Sequence, residues 1–403
     1  MGSDNGLGRI LVLDGHSAAA LAVTRSAGRA AHWVAVGANR GIFASAKLSR
    51  FCRASFDYPV STDDADAFIE SVLEFVRSHA IDLVVPMTDW TFGPLMAART
   101  RFDNICRLAL PPLDSWQAAS DKYRTIQLAQ SLGIEVPRTW LIEKNSDLAT
   151  LHHPTFPLVV KDRFSVRWSG GRAVLGSVAY AYSQNELASR VAERLRAVGD
   201  VLVQEFVGGV GIGFSCFSAN GEVLLPFEWE RIREIDPRGS GSSCRKSLPL
   251  DEQLLRLSGR LISSIGFEGI AMVEYKKTKA GRLILMEING RPWGSIALPI
   301  ASGIDYPRYL IDWYLNDNLP PKYIPYDTSV TCRRVVSELG HLSNLRAGKP
   351  ANWPGEYPSF WGNLAKMAVP WYPGMHYDEL WLSDLRPGVA EIKNWFRSRV
   401  KRG

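Results

Sequence analysis

Short apolar runs separated by stretches of helical period set the rhythm of residues 1–112. Arg9 to Leu13 reads as a buried strand, Ser17 to Gly28 as a serine-capped helix, and His32 to Val36 as a second strand. Between Asp64 and His79, Phe68, Val72, Phe75 and Val76 recur at helical spacing, and Ile81 to Pro86 forms the next apolar run. Strands alternating with helices predict a parallel α/β sheet. Its first turn, Asp14-Gly15-His16-Ser17, holds one glycine and lacks the dinucleotide fingerprint. Asp14, His16 and Asp89 fall at strand ends, where they read first as caps or turn residues. Pro111-Pro112 marks a boundary. Beyond it, Ser120-Asp121-Lys122 opens a helix that Gly133 ends, and Phe156 to Lys161 is a strand delivering a lysine. Trp168 to Val174 is a glycine-bearing turn, and Asp200 to Val207 is a strand running into Gly208-Gly209. Phe227 to Glu234 alternates as a strand before a Gly/Ser loop that continues to Lys246, and Tyr306 to Leu315 reads as a helix. The Pro-, Trp- and Tyr-rich remainder resists assignment until Val389, Ile392, Trp395 and Phe396 outline a terminal helix.

The chemistry concentrates between Gly269 and Ser295. Ile270 to Lys276 and Leu283 to Ile288 form a hairpin around Lys279-Ala280-Gly281-Arg282, with glycine supplying the positive φ. With Ala280 and Gly281 as a two-residue loop, Glu274 lies opposite Glu287, and the strand period brings Asn289 and Arg291 to the same face. Facing carboxylates destabilise a sheet unless a cation joins them. Two carboxylates and an amide oxygen suit Mg²⁺ bridging to phosphates, and an adjacent arginine suits bidentate phosphate contact. The alternative is a hairpin with one solvated face. Everything depends on register, because a slip of one residue sends the set to opposite faces.

Composition narrows the class. With 46% hydrophobic and 22% charged residues over 403 positions, the chain can hold two or three soluble domains. Its five cysteines are scattered and form no C-x-x-C pair, so neither a zinc site nor a disulfide framework is indicated, and a reducing, cytoplasmic setting is expected. The net charge of +6 comes largely from residues 386–403, and no nucleic-acid module accompanies it. That basic helix either packs at the end of the fold, the preferred reading, or docks on an anionic membrane surface. The number of subunits stays open, a homodimer among the options.

Glu274 followed by Glu287-Ile288-Asn289-Gly290-Arg291 resembles the E…E-x-N-x-R signature of the ATP-grasp superfamily. Asp121-Lys122 with Gly133-Ile134 and Pro137 resembles that family's entry into its nucleotide-binding region, and the run MEINGRPWGS looks most like bacterial ATP-grasp proteins described as carboxylate–amine ligases. The resemblance implies an N-terminal parallel α/β domain (1–112), a two-subdomain ATP-grasp domain (113–318, lid about 138–203) and an irregular C-terminal extension (319–403). It implies ATP with Mg²⁺ (or Mn²⁺) held by Glu274, Glu287 and Asn289. Lys122 and Lys161 would meet the phosphates under a flexible Gly170-Gly171 loop, and Gln204, Glu205, Phe206 and Val207 would read the adenine. Arg291 and Lys161 would assist catalysis. The strand end at Gln204 to Val207 would be the hinge between lid and core, and Arg231, Ser243 and Arg245, in the arginine-bearing stretch after it, could cradle an anionic substrate. One departure is visible. Relatives carry a ribose-binding glutamate where this chain reads Gly208-Gly209-Val210-Gly211-Ile212-Gly213, which leaves ribose recognition and the choice between ATP and GTP open.

The implied activity is ligation of small-molecule carboxylate and amine substrates (or carboxylate to thiol) through an acyl-phosphate, with release of ADP. Two alternatives stand beside it: an ATP-grasp enzyme with another acceptor, such as a carboxylase or purine-pathway ligase, and a nucleotide-binding sensor or scaffold without turnover.

Overall fold

The computed structural model describes residues 7–169 and 172–400. The first unit runs β1 (Arg9–Val12), α1 (Ala18–Arg29), β2 (Trp33–Asn39), β3 (Cys52–Tyr58), α2 (Ala65–Ser78), β4 (Leu83–Val85), α3 (Asp89–Ala97) and β5 (Arg107–Leu108). Its five strands are all parallel, in the order β3-β2-β1-β4-β5. Helix α1 starts where the hydroxyl of Ser17 accepts the Ala20 amide at 3.1 Å, and α2 where Asp64 accepts that of Ala67 at 2.9 Å. Helix α3 has no apolar period, and Gly93-Pro94 interrupts its pattern, so the sequence does not announce it. Asp14 is buried and accepts from the Thr88 amide at 2.9 Å and the Thr91 hydroxyl at 2.7 Å, so it holds the turn that starts α3.

Two short helices, α4 (Leu113–Ser120) and α5 (Lys122–Ser131), lead into a smaller antiparallel sheet where the lid is expected, called the lid sheet below. Its elements are β6 (Thr139–Ile142), β7 (Leu158–Asp162), the hairpin β8 (Val166–Ser169) and β9 (Arg172–Leu175), β10 (Val178–Ala181), α6 (Gln184–Val198) and β11 (Val201–Glu205). The sheet order is β10-β7-β11-β6. Helix α6 buries one face through Leu187 and Val191 against Leu158, Val160, Ala181 and Val203. The other face, with Lys161, Val159, Tyr180 and Gln204, is turned away from that core.

The core sheet has seven strands: β12 (Val210–Ala219), β13 (Glu222–Glu234), β14 (Ser242–Leu248), β15 (Gly269–Lys277), β16 (Leu283–Asn289), β17 (Thr331–Arg333) and β18 (Met375–Tyr377), in the order β16-β15-β12-β13-β14-β17-β18. Helix α7 (Glu252–Ser264) covers one face with Leu254, Leu261 and Ile262. After α8 (Ala297–Ala301), α9 (Tyr306–Asn316) packs between this sheet and α1, so one apolar cluster runs from Ile10 and Val23 through Tyr306 to Phe217 and Trp293.

The C-terminal residues gain order that their aromatic, proline-rich sequence does not display. They supply β17 and β18 to the core sheet, with α10 (Val335–Arg346) and α11 (Phe360–Met367) between and α12 (Arg386–Val400) at the end. Buried arginines pin them. Arg25 of α1 donates to Asp384 at 2.9 Å and to the carbonyls of Asp378, Glu379 and Asp384. The basic terminal helix packs through Glu391, which pairs with Arg334, and near its end through Arg399, which donates to Ser343 at 3.0 Å. Among the described residues no helix is long and apolar enough to cross a membrane.

Candidate active site

Glu274 does face Glu287, but not through the turn expected. Gly281 adopts φ 82°, its amide bonds back to Thr278 at 2.9 Å, and the loop holds three residues, Lys279 to Gly281. That loop alone would set Glu274 opposite Met286. A β-bulge between Glu274 and Tyr275 shifts the register by one and restores the pairs Glu274–Glu287 and Met272–Asn289. Both carboxylates and Asn289 therefore share one face of the sheet, and the Asn289 amide donates to Glu287 at 3.2 Å.

Cross-strand pairing continues this row. Glu287, Glu274, Gly213 and Trp229 lie side by side on β16, β15, β12 and β13. A Cβ on Gly213 would come within 2.1 Å of the Trp229 ring, and one on Gly211 within 2.7 Å of Cδ of Arg231. The glycines thus let both long side chains lie flat across β12. Arg231 uses that room to reach Glu274 at 2.5 Å, while its other branch donates to Glu234 at 3.2 Å. The glycine-rich stretch has a packing reason, and Arg231 is the cation bonded to one of the facing carboxylates, Glu274.

Electrostatics mark this face as a charge cluster. Burial is the largest influence on Lys161, only 7% exposed, and pushes its ammonium down to about 8, with Glu287 and Glu274 acting in the opposite sense. Burial would raise the Glu287 carboxyl, but Lys122 and Lys161 outweigh it and hold the group below its ordinary range. Glu274 moves the other way: burial raises it, and Glu287 adds to the rise against Arg231.

A cleft of about 500 Å³ opens beside the cluster. The core sheet lines it with Glu287 and Asn289, Arg291 follows just beyond the end of β16, and the lid lines it with Arg163, Ser165 and Trp168. Asp121 shapes one wall. It caps α5 and takes two hydrogen bonds from Arg163 at 2.8 and 2.6 Å, which fixes Lys122 beside Ser165 at 2.9 Å. Arg291 lines the same cleft, and its Nε donates to Asp89, at the start of α3, at 2.9 Å. The N-terminal unit also touches the lid hairpin, since a Cβ on Gly93 would approach the Trp168 indole to 2.3 Å.

The other expected residues divide. Gln204, buried, donates to Thr139 at 2.7 Å on the lid face that carries Lys161; Glu205 ends β11, and Phe206 and Val207 lie in the link to β12, where the hinge is expected. Gly170 and Gly171 lie outside the described residues. Arg231 and Arg245 are cross-strand partners on β13 and β14, but none of the trio Arg231, Ser243 and Arg245 lines the cleft. The Gly/Ser stretch becomes strand from Ser242, so Ser243 is buried and donates to the Arg233 carbonyl at 3.3 Å. Arg245 is 1% exposed and grips Asp378 at 2.7 and 2.6 Å, away from the cleft. Asp89 as the partner of Arg291 escapes sequence reasoning, because 202 positions separate the two.

This arrangement matches known proteins. A family model described as "ATP-grasp in the biosynthetic pathway with Ter operon" matches residues 197–336. D-alanine–D-alanine ligase B of Pseudomonas putida is 27% identical over 184 residues, covering 43% of this chain and 55% of that protein. The chain therefore spans about half the length of that relative. Among solved structures, the L-amino acid ligase from Bacillus licheniformis superposes with a TM-score of 0.58 at 17% identity, over 77% of this chain and 74% of that one. The biotin carboxylase domain of Hydrogenobacter thermophilus 2-oxoglutarate carboxylase, solved with MgADP, does so with a TM-score of 0.64 at 14% identity, over 81% and 73%. With its lid sheet, its core sheet and its paired glutamates, the chain has the fold of the ATP-grasp superfamily, and residues 197–336 match an ATP-grasp family model.

Proposed function

We propose that the chain is an ATP-dependent ligase that phosphorylates a small-molecule carboxylate and passes the acyl group to an amine, releasing ADP and phosphate. One observation carries this reading: Glu274, Glu287 and Asn289 share a face of the core sheet, and Arg231 of that sheet, Lys161 of the lid sheet and Lys122 of α5 balance their charge. The name of the sequence relative, a D-alanine–D-alanine ligase, favours an amine acceptor over a carboxylation, whereas the solved structures of similar fold include both an L-amino acid ligase and a biotin carboxylase domain.

The donor set fits a metal that arrives with its nucleotide. Among the described residues no group of three His, Cys, Asp or Glu side chains could hold an ion by itself. Glu274, Glu287 and the Asn289 oxygen are hard donors that would hold Mg²⁺, or Mn²⁺, together with the nucleotide. A bound ion of this kind neutralises phosphate charge. The residues of the chain position everything else. Lys161 and Lys122 hold phosphate oxygens, the backbone of Glu205 to Val207 reads the base edge, and Arg291, held by Asp89, aims its fork at the transferring group. The carboxylate and its acceptor share the cleft between Trp116, Trp168 and Arg124. No side-chain nucleophile is required, because phosphoryl transfer rests on positioning and charge neutralisation.

A screen for ADP release across paired carboxylates and amines tests this. ADP formation that requires a carboxylate supports the ligase. ATP binding with no ADP formed across a broad panel favours the sensor, and ADP formation that bicarbonate alone sustains favours a carboxylase.

A further inference from the structure

We propose that Trp353, from the loop between α10 and α11, forms a wall of the nucleoside end of the nucleotide site; this rests on the nucleotide reading of the cleft. In the lid sheet, Tyr180 pairs with Val159, and Val159 with Gln204, so the three form one row, with Lys161 two residues beyond Val159 on the same face. The opposite face is closed by α6. Tyr180 therefore stands on the phosphate-lysine side of the lid, and Phe206 in the hinge that follows Gln204. Trp353 sits against both. Its ring lies 5.1 Å from Tyr180 and 5.0 Å from Phe206, edge-on to each at 90° and 73°.

Two further observations point to a ligand. Trp353 is only 5% exposed, and its indole N–H is buried without a hydrogen-bond partner among the described residues. A buried donor left unpaired is unfavourable, and an acceptor on a nucleoside would satisfy it. The glycine-rich stretch after the hinge also carries no carboxylate, because Gly211 and Gly213 make room for Arg231 and Trp229. Recognition at this end thus falls to other side chains, and a flat indole with one donor suits an aromatic base. The segment is anchored rather than loose. Tyr357 donates to the Asn344 carbonyl at 3.2 Å, Asn344 to that of Ile235 at 2.8 Å, and Tyr180 to that of Arg238 at 2.5 Å.

The test compares two probes on the full chain, the ATP analogue AMP-PNP and inorganic tripolyphosphate, titrated calorimetrically with Mg²⁺ into wild type, Trp353→Ala and Trp353→Phe. Losing a base-stacking aromatic weakens binding by about tenfold or more. Trp353→Ala should therefore raise the AMP-PNP Kd by about that factor, Trp353→Phe should lie between it and wild type, and tripolyphosphate should bind all three alike. Unchanged AMP-PNP affinity in Trp353→Ala overturns the proposal. So does tighter binding, which would mean that the indole occupies the place of the base. An equal loss for both probes assigns Trp353 to the fold and also overturns it. A wild type that binds neither probe refutes the nucleotide reading itself.

Discussion

Lys161→Met should make the protein more stable and abolish nucleotide binding. The ammonium of Lys161 is buried, and burial brings it from the usual 10.5 to about 8. At about 1.4 kcal/mol per pH unit, holding that charge in place costs the nucleotide-free fold about 3 kcal/mol. Methionine has similar length and no charge, so the substitution removes the cost without opening a large cavity. The pH dependence has a definite sign. Below pH 8 the folded and unfolded chains are both protonated at this lysine, and the full cost applies. Between about 8 and 10.5 the unfolded chain keeps a proton that the folded one releases, so wild-type stability rises with pH. Urea denaturation at pH 7 should thus place Lys161→Met above wild type by about 3 kcal/mol, and the gap should narrow by pH 9.5. With ATP at about a hundred times its Kd, wild type should gain about 2.7 kcal/mol and the variant nothing. A variant less stable than wild type at pH 7, or a gap unchanged with pH, refutes the assignment of Lys161 as a buried cation awaiting an anion.

Arg291→Lys should lower kcat by about 10²–10³, the usual effect of removing one preorganised charge-stabilising donor, with little change in ATP Kd. Near-full turnover would show that the pair with Asp89 is only structural. Hydroxylamine should replace the amine once the acid is known, and colorimetric detection should find hydroxamate in step with ADP. ADP without hydroxamate would point to a different acceptor chemistry.

Much of this site is readable in the sequence, for local reasons. The capped helices, the apolar strands of the parallel sheet and the facing glutamates each depend on residues close together in the chain. Even there, the Glu274–Glu287 pair comes from a three-residue loop and a bulge that offset one another, and neither leaves a clear mark in composition. Long-range partners leave none. Asp89 meets Arg291, Arg245 meets Asp378, and Trp353 meets Tyr180 only through tertiary packing. Arginines in the stretch after the hinge look alike in sequence, yet Gly211 directs Arg231 to Glu274, whereas Arg245 points into the C-terminal extension. That extension hides its strands because they are three residues long and held by neighbouring strands and buried ion pairs rather than by their own period.

Calorimetric titration of ATP into wild type and Glu287→Gln, with Mg²⁺ and with EDTA, tests the paired glutamates most directly. Wild type should bind one ATP per chain, with affinity falling by about tenfold or more when the metal is removed, equivalent to about 1.4 kcal/mol. Glu287→Gln should keep its fold by circular dichroism and lose that dependence on metal. Wild-type binding that EDTA leaves unchanged, or a Glu287→Gln variant as responsive to Mg²⁺ as wild type, would contradict a metal-bridged nucleotide between the lid and the core.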